Sequence, residues 1–446
     1  MRQNNLICYL FFLCILATNV YGQEAATSAN DFFDQGYSKF NDKDFEGAIL
    51  AYTNCINLDA TNVKAYTNRA NAFFNLKQYE NAIKDYDTVL TMNPKNVKAM
   101  TSRAKSLYII NDIEKAESDF RNIIDMDPSV ADAHYYIAEI YMKKNNINEA
   151  LLSYSAAINN NTRHEQALMA RAAIFYDRKE WLSAISDYTL VLNISPNQYA
   201  SYFKRGMAKY QMQDLYGALA DINVAISLQE NQPIYYLTRG IVKFDLKDYR
   251  GSILDYSQAI LLKDDYLLAY SNRGISYIQT NQFKNAESDF LYLIKNDEKN
   301  PENWFNLGLV SYYQKDYDKA ISSFESAIKK DKAYTQAYFF IAKSYEEDGK
   351  QRKAIEAYSR TIEVDASYPD SYIHRAMLLM DEKEYDKAIL DFTKAIELDA
   401  TNATTYYNRG IAYLKVNKTN DACKDFSVAG SLGESEAYEM IKKRCN

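Results

Sequence analysis

The sequence predicts an all-α solenoid of antiparallel helix pairs, and three observations predict it. A 34-residue pattern recurs twelve times without insertion or deletion and fills Ala29–Glu436. Inside each unit two successive runs carry apolar residues at helical spacing. Two fixed places in each unit hold small residues, and a third holds an aromatic ring.

The unit containing Asn303–Asp331 serves as the template. With its places numbered 1 to 34, Gly308 stands at place 8 and Ala320 at place 20. Place 8 is Gly or Ala in all twelve units, and place 20 is Ala in eleven, with Ser252 the exception. Trp304, Leu307, Gly308 and Ser311 mark a first helix from place 3 to about place 14; Ala320, Phe324, Ala327 and Ile328 mark a second. Small residues at one crossing allow two antiparallel helices to approach closely. Place 24, aromatic in eleven units and Ile222 in the twelfth, supplies the knob that fills the remaining space. Glycines inside helices, which cost about 1 kcal/mol each relative to Ala, thereby gain a packing reason.

This pattern resembles the tetratricopeptide repeat, with small residues at places 8 and 20, aromatics at 17 and 24, and Pro at place 32 in Pro94, Pro128 and Pro196. The resemblance covers all of the chain except its ends. It implies a right-handed superhelix of helix pairs, acting as a scaffold or peptide-binding surface whose partners vary. One peptide-binding device of the family, a carboxylate clamp, is not reproduced: Asn68 and Lys98 fit it, whereas Phe33, Tyr37 and Ser102 do not.

Place 7 is Arg in eight units and place 23 is Asp in the same eight: Arg69/Asp85, Arg103/Asp119, Arg171/Asp187, Arg205/Asp221, Arg239/Asp255, Arg273/Asp289, Arg375/Asp391 and Arg409/Asp425. Gln35, Ile137, Leu307 and Ile341 replace the Arg elsewhere, opposite Ala51, Ser153, Ser323 and Ala357. In an antiparallel pair, places 7 and 23 lie at one level. The sequence therefore predicts an Arg–carboxylate bridge between the helices of each such unit, with a structural rather than a chemical role.

The ends read differently. Met1–Gly22 has a basic start at Arg2, an apolar run from Leu6 to Ala17 and small residues near Gly22, the order of a secretory signal peptide, with cleavage expected between Gly22 and Gln23. Its ending resembles leaders of exported Bacteroidota proteins. Cys8 and Cys14 follow Ile7 and Leu13, not the small residue that lipid attachment requires. Export to the periplasm or the extracellular space is expected, with uncleaved anchoring the alternative. Gln23–Ser28 is a short polar lead, the twelve repeats form one solenoid over 29–436, and residues 437–446 form a C-terminal capping helix, its last turn carrying Lys442, Lys443 and Arg444.

Without the leader the chain holds 51 basic and 59 acidic residues, and no long basic run occurs, so nucleic acid is not an expected partner. Nor is a membrane span expected after cleavage, the leader being the one long apolar run. Cys55 sits at a core place, while Cys423 and Cys445 can be bridged in an oxidising compartment or remain thiols. His134, His164 and His374 fall in three different units, so they assemble no metal site and no nucleophile–base pair. No glycine-rich phosphate loop is present. No cofactor and no enzyme activity are expected.

The candidate site is a groove lined by first-helix places 5, 9 and 12. In units five to nine these read Met169, Ala173, Tyr176; Phe203, Met207, Tyr210; Leu237, Ile241, Phe244; Ser271, Ile275, Ile278; and Phe305, Leu309, Tyr312, with Ser271 alone breaking the apolar run. So long an apolar run fits the binding of a partner's helix or extended peptide. Places 5 and 12 can equally be core between neighbouring first helices, and place 9 separates the two readings. Self-association through the groove and stacking of aromatic faces on a polysaccharide are the other binding readings.

Overall fold

A computed structural model describes residues 28–445, so the leader and most of the polar lead lie outside the described residues. Among the described residues there are twenty-five α-helices and no strand. They fall into two compact units, one within Met1–Ala208 and the other within Lys209–Asn446. Each unit is a stack of antiparallel helix pairs. The two helices of a repeat make the most extensive contact, and the second helix then packs on the first helix of the next repeat.

In every repeat the first helix occupies places 1–13, as in α1 (Ala29–Asn41) and α17 (Pro301–Tyr313). The second begins at place 17, as in α2 (Phe45–Leu58) and α18 (Tyr317–Lys330). Both start two or three residues before the apolar pattern begins, because polar caps rather than apolar contacts fix their first turns. The Asn62 side chain accepts the Ala65 N–H (3.0 Å) at place 34, and that of Asp44 accepts the Gly47 N–H (2.9 Å) at place 16. At the very start Ser28 and Asp31 exchange side-chain and backbone hydrogen bonds in a capping box.

A feature invisible to apolar periodicity joins the helices. Place 15 is left-handed in all twelve repeats, from Lys43 (φ 63°) to Asn417 (φ 61°), yet only Gly349 (φ 72°) is a glycine there. The following N–H reaches back to place 11, as Asp316 does to the Ser311 carbonyl (2.9 Å), which closes the first helix and reverses the chain in three residues.

The close approach is as expected. A Cβ built on Gly308 would stand 2.5 Å from the Phe324 ring, and one on Gly240 2.5 Å from Tyr256. Phe324, Tyr256 and Ala320 are fully or almost fully buried. Repeats with Ala at place 8 also keep an aromatic at place 24.

Seven of the eight predicted Arg/Asp pairs have both members inside one unit, and all seven form. In each, Nε and Nη2 donate to the two carboxylate oxygens at 2.6–2.9 Å, for example Arg273 to Asp289 and Arg409 to Asp425. The structure adds a third partner. Nη1 donates to place 25 of the preceding repeat: Arg69 to Thr53, Arg103 to Asp87, Arg171 to Ser155, Arg205 to Thr189, Arg239 to Asn223, Arg273 to Ser257, Arg375 to Ser359 and Arg409 to Thr393. One guanidinium thus ties three helices. Each repeat that precedes an arginine carries a short polar residue at place 25, whereas Arg121, Leu291 and Glu325 precede the repeats that lack one.

At the far end α25 (Ser435–Arg444) packs on the last repeat, and Cys423 is bridged to Cys445 with Cα atoms 5.7 Å apart. Cys55 is a buried free thiol.

The rung chemistry gives a test. Asp289→Ala strands the largely buried Arg273 guanidinium and is expected to cost about 3 kcal/mol locally. The double change Arg273→Leu/Asp289→Ser, which copies the Leu307/Ser323 pairing of repeat 9, is expected to cost less than the single change. Hydrogen exchange over Phe283–Asn296 measures both, since long repeat arrays need not unfold in one step. Equal losses would mean that the pair is not acting as a unit.

Candidate protein-interaction surface

First-helix places 2, 5, 9 and 12 or 13 lie along one stripe of the helix. In the structure the stripe divides into core and surface. Phe203, Leu237 and Phe305 at place 5, and Ile278 at place 12, are at most 9% exposed. For these four the core reading holds. Phe305, for instance, packs against the rings of Phe324, Tyr334 and Phe340. Place 9 behaves differently, with Met207, Ile241, Ile275 and Leu309 all half-buried, as are Tyr210, Phe244 and Tyr312. Phe203 and Met207 belong to the first unit and the others to the second.

Within the second unit the apolar row is wider than the sequence reading had it. Ile234 and Leu268 at place 2, and Tyr313 at place 13, are exposed (40%, 54% and 51%) beside the place-9 residues. The signal was present as apolar residues where other repeats carry Lys64, Lys98 or Asp132, but a three-place stripe did not include place 2. Place 13 of the second unit carries three exposed carboxylates, Asp245, Glu347 and Asp381, along with Gln279, Tyr313 and Lys415. The Tyr210 hydroxyl donates to Asp245 (2.6 Å). Burial, and then this bond, push the Tyr210 phenol up to about 12. Burial, with Glu347 close by, does the same for Tyr312, also to about 12. Deeper in, burial works against the Glu346 carboxylate, yet hydrogen bonds with His374 and Tyr358 hold it below its ordinary value.

Repeats 3 and 4, in the first unit, present polar pairs at place 9. Lys105 at place 9 meets Asp132 at 2.5 Å, and Glu139 at place 9 accepts the Tyr154 hydroxyl. His164, its Nε2 3.3 Å from the carboxylate, and then Lys105 hold Asp132 well below the carboxylate range. His164 itself caps its helix by accepting the Ala167 N–H on Nδ1 (3.3 Å), and His134 bonds the Pro128 carbonyl (2.8 Å), so the histidines hold structural contacts. Among the described residues no group of three or more His, Cys, Asp or Glu is placed to hold a metal ion, and no helix is long and apolar enough to cross a membrane.

Comparison with known proteins agrees with this geometry. Tetratricopeptide-repeat family models match residues 63–96, 107–174, 301–334, 335–368 and 376–417. The helix pairs continue in the same register through the stretches between these matches. The chain is a tetratricopeptide repeat protein. No curated protein sequence matches it. Similar solved structures include yeast Tom70, 16% identical over 94% of this chain and 95% of that one, with a TM-score of 0.44. A tetratricopeptide repeat protein from Parabacteroides merdae is 20% identical over 56% of this chain and 98% of that one, with a TM-score of 0.47. The Cut9–Hcn1 hetero-tetramer structure of APC/C is 12% identical over 94% and 97%, with a TM-score of 0.40.

The phenols of this repeat protein supply a pH test. Tyr86, Tyr108, Tyr210, Tyr312 and Tyr334 are raised to about 12, in each case mainly by burial. A raised phenol pKa means that the folded state holds the proton more tightly. Their contribution to stability is therefore complete below pH ~10 and lost as pH climbs from ~10 to ~12. Phenolate absorbance is expected in two stages, exposed tyrosines first, with helix content falling during the second. A single stage near pH 10 with helicity intact would contradict the burial assigned to these rings.

Proposed function

We propose that this tetratricopeptide repeat protein is an exported, non-enzymatic scaffold that binds a partner protein's apolar segment along first-helix places 2 and 9 of the second unit. One observation carries the reading: Ile234, Ile241, Leu268, Ile275 and Leu309 leave apolar surface in water on neighbouring helices that already have a well-packed core. Continuous apolar surface suits an amphipathic helix or an extended peptide. The carboxylates at place 13 favour basic residues flanking the apolar ones. Tetratricopeptide repeat proteins are typically scaffolds of this kind. The Cys423–Cys445 bridge supports export, since such bonds persist in oxidising compartments.

Two measurements test this. The chain without Met1–Gly22 is used to capture proteins from an envelope extract, beside an Ile241→Glu/Leu309→Glu variant with unchanged circular dichroism. A partner taken by the first and lost by the second is expected, with affinity falling at least about tenfold. Equal capture by both would move the site elsewhere, and concentration-dependent size with no capture would point to a second copy as the occupant. For compartment, thiol titration of that chain, denatured but unreduced after isolation from its host, is expected to give one thiol, Cys55. A count of three would remove the support for export.

A further inference from the structure

Repeat 10 keeps the aromatic setting of an arginine rung without its arginine. In repeats 8 and 12 the rung guanidinium sits by two tyrosines, at places 4 and 11. Arg273 lies 5.3 Å from the Tyr270 ring centre and 5.7 Å from Tyr277, and Arg409 lies 5.7 and 5.8 Å from Tyr406 and Tyr413. Repeat 10 has the same two residues, Tyr338 and Tyr345, on α19 (Thr335–Glu347). Between them, however, place 7 is Ile341, and place 23, on α20 (Gln351–Val364), is Ala357. The preceding place 25, the usual acceptor for Nη1, is Glu325 on α18. A cleft of about 620 Å³ lies at this point, lined by Tyr338, Ile341, Tyr345, Ala357, Ile328 and Glu325; the same places of repeat 3, where Arg103 and Asp119 are present, border a smaller one of about 350 Å³.

The other repeats without a place-7 arginine do not leave this vacancy. In repeat 4 a guanidinium arrives from the opposite side: Arg121, at place 25 of repeat 3, lies 5.8 Å over the Tyr141 ring and donates to its hydroxyl (3.1 Å). In repeat 9 there is no tyrosine pair, since places 4 and 11 are Trp304 and Ser311, and place 25 before it is Leu291. Repeat 1 has no repeat before it. Repeat 10 alone combines both tyrosines with an acidic acceptor and no stacked guanidinium among the described residues.

We propose that this cleft receives the arginine side chain of a partner protein, whose guanidinium takes the place of the missing rung beside Tyr338 and Tyr345 and donates to Glu325. No hydrogen bond or ion pair engages Glu325 or Glu356 among the described residues, so carboxylate acceptors stand ready at the mouth. Arginine suits the cleft better than lysine because its planar group stacks on rings while its donors reach an acceptor at the edge. Cations of the chain itself are near: Lys329, Lys353 and Arg360 also border the cleft, with Lys353 5.6 Å from the Tyr345 ring and Arg360 paired to Glu363 at 3.7 Å. All three are exposed, and Lys353 is the one an incoming guanidinium displaces. The cleft uses first-helix places 4, 7 and 11, away from places 2, 9 and 13 of the apolar row, so the two sites stand or fall separately.

The test uses the chain without its leader and a fluorescent N-acetyl-Gly-Arg-Gly amide, with citrulline and lysine versions as controls, read by anisotropy. Saturable binding of the arginine peptide is expected, weaker by about tenfold for citrulline, which keeps the shape and loses the charge. Tyr345→Leu and Glu325→Gln are each expected to weaken it by about fivefold, and Lys353→Met to strengthen it about twofold. The triple variant E325S/I341R/A357D builds the rung of repeat 11 into repeat 10 and is expected to abolish binding while keeping full helicity. Absence of saturable binding, equal binding of citrulline, or undiminished binding by the folded triple variant would overturn the proposal. If the triple variant does not fold, unchanged affinity in Tyr345→Leu overturns it instead.

Discussion

The whole architecture depends on how near the two helices of a repeat can come. At place 8 the backbone of the first helix is pressed against an aromatic ring from the second, near enough that Gly308 has no room for a methyl group without movement of Phe324. Close approach buries the ring completely and excludes water from the seam between the two helices, which is where much of each repeat's burial free energy comes from. Everything else, including the three-residue reversal through a left-handed residue at place 15, serves to bring the helices back antiparallel at that distance.

On that framework the arginine rungs set level and register. Apolar packing alone tolerates a slip along the seam, whereas a bidentate Arg–carboxylate pair fits at one height only. Because Nη1 continues to the preceding repeat, the same cation also fixes how one repeat stacks on the next. The interactions are local, as in repeat proteins generally, so an individual rung can be lost without unravelling its neighbours. Repeats 1, 4, 9 and 10 carry no rung, and the surface at those places differs chemically from that of the repeats that do.

Function in such a stack resides in the places that packing does not use. Repeats 3 and 4 fill place 9 with Lys105 and Glu139, each engaged by a neighbour, while repeats 7 to 9 leave Ile241, Ile275 and Leu309 half in water. Repeats with the same backbone plan thus differ in chemistry, polar and paired at place 9 in repeats 3 and 4 and apolar in repeats 7 to 9.

By itself the sequence determined the period, the helix pairs, the knob at place 24 and the Arg–Asp pairing, since each is a pattern repeated in phase and chance is averaged out over the copies. It also left the Cys423–Cys445 bridge open, because only folding of the terminal helix brings the two sulfurs together. The left-handed place 15 went unread, as eleven of its twelve residues are not glycine and the strain is offset by the hydrogen bonds of the turn. The tertiary structure alone decided which groove residues are surface. Phe305 and Leu309 look equivalent as apolar letters, yet one is enclosed by three rings and the other is not. The vacancy in repeat 10 is likewise three-dimensional: it arises from what three helices contribute at one point, and residues 325, 341 and 357 meet only once the helices are packed.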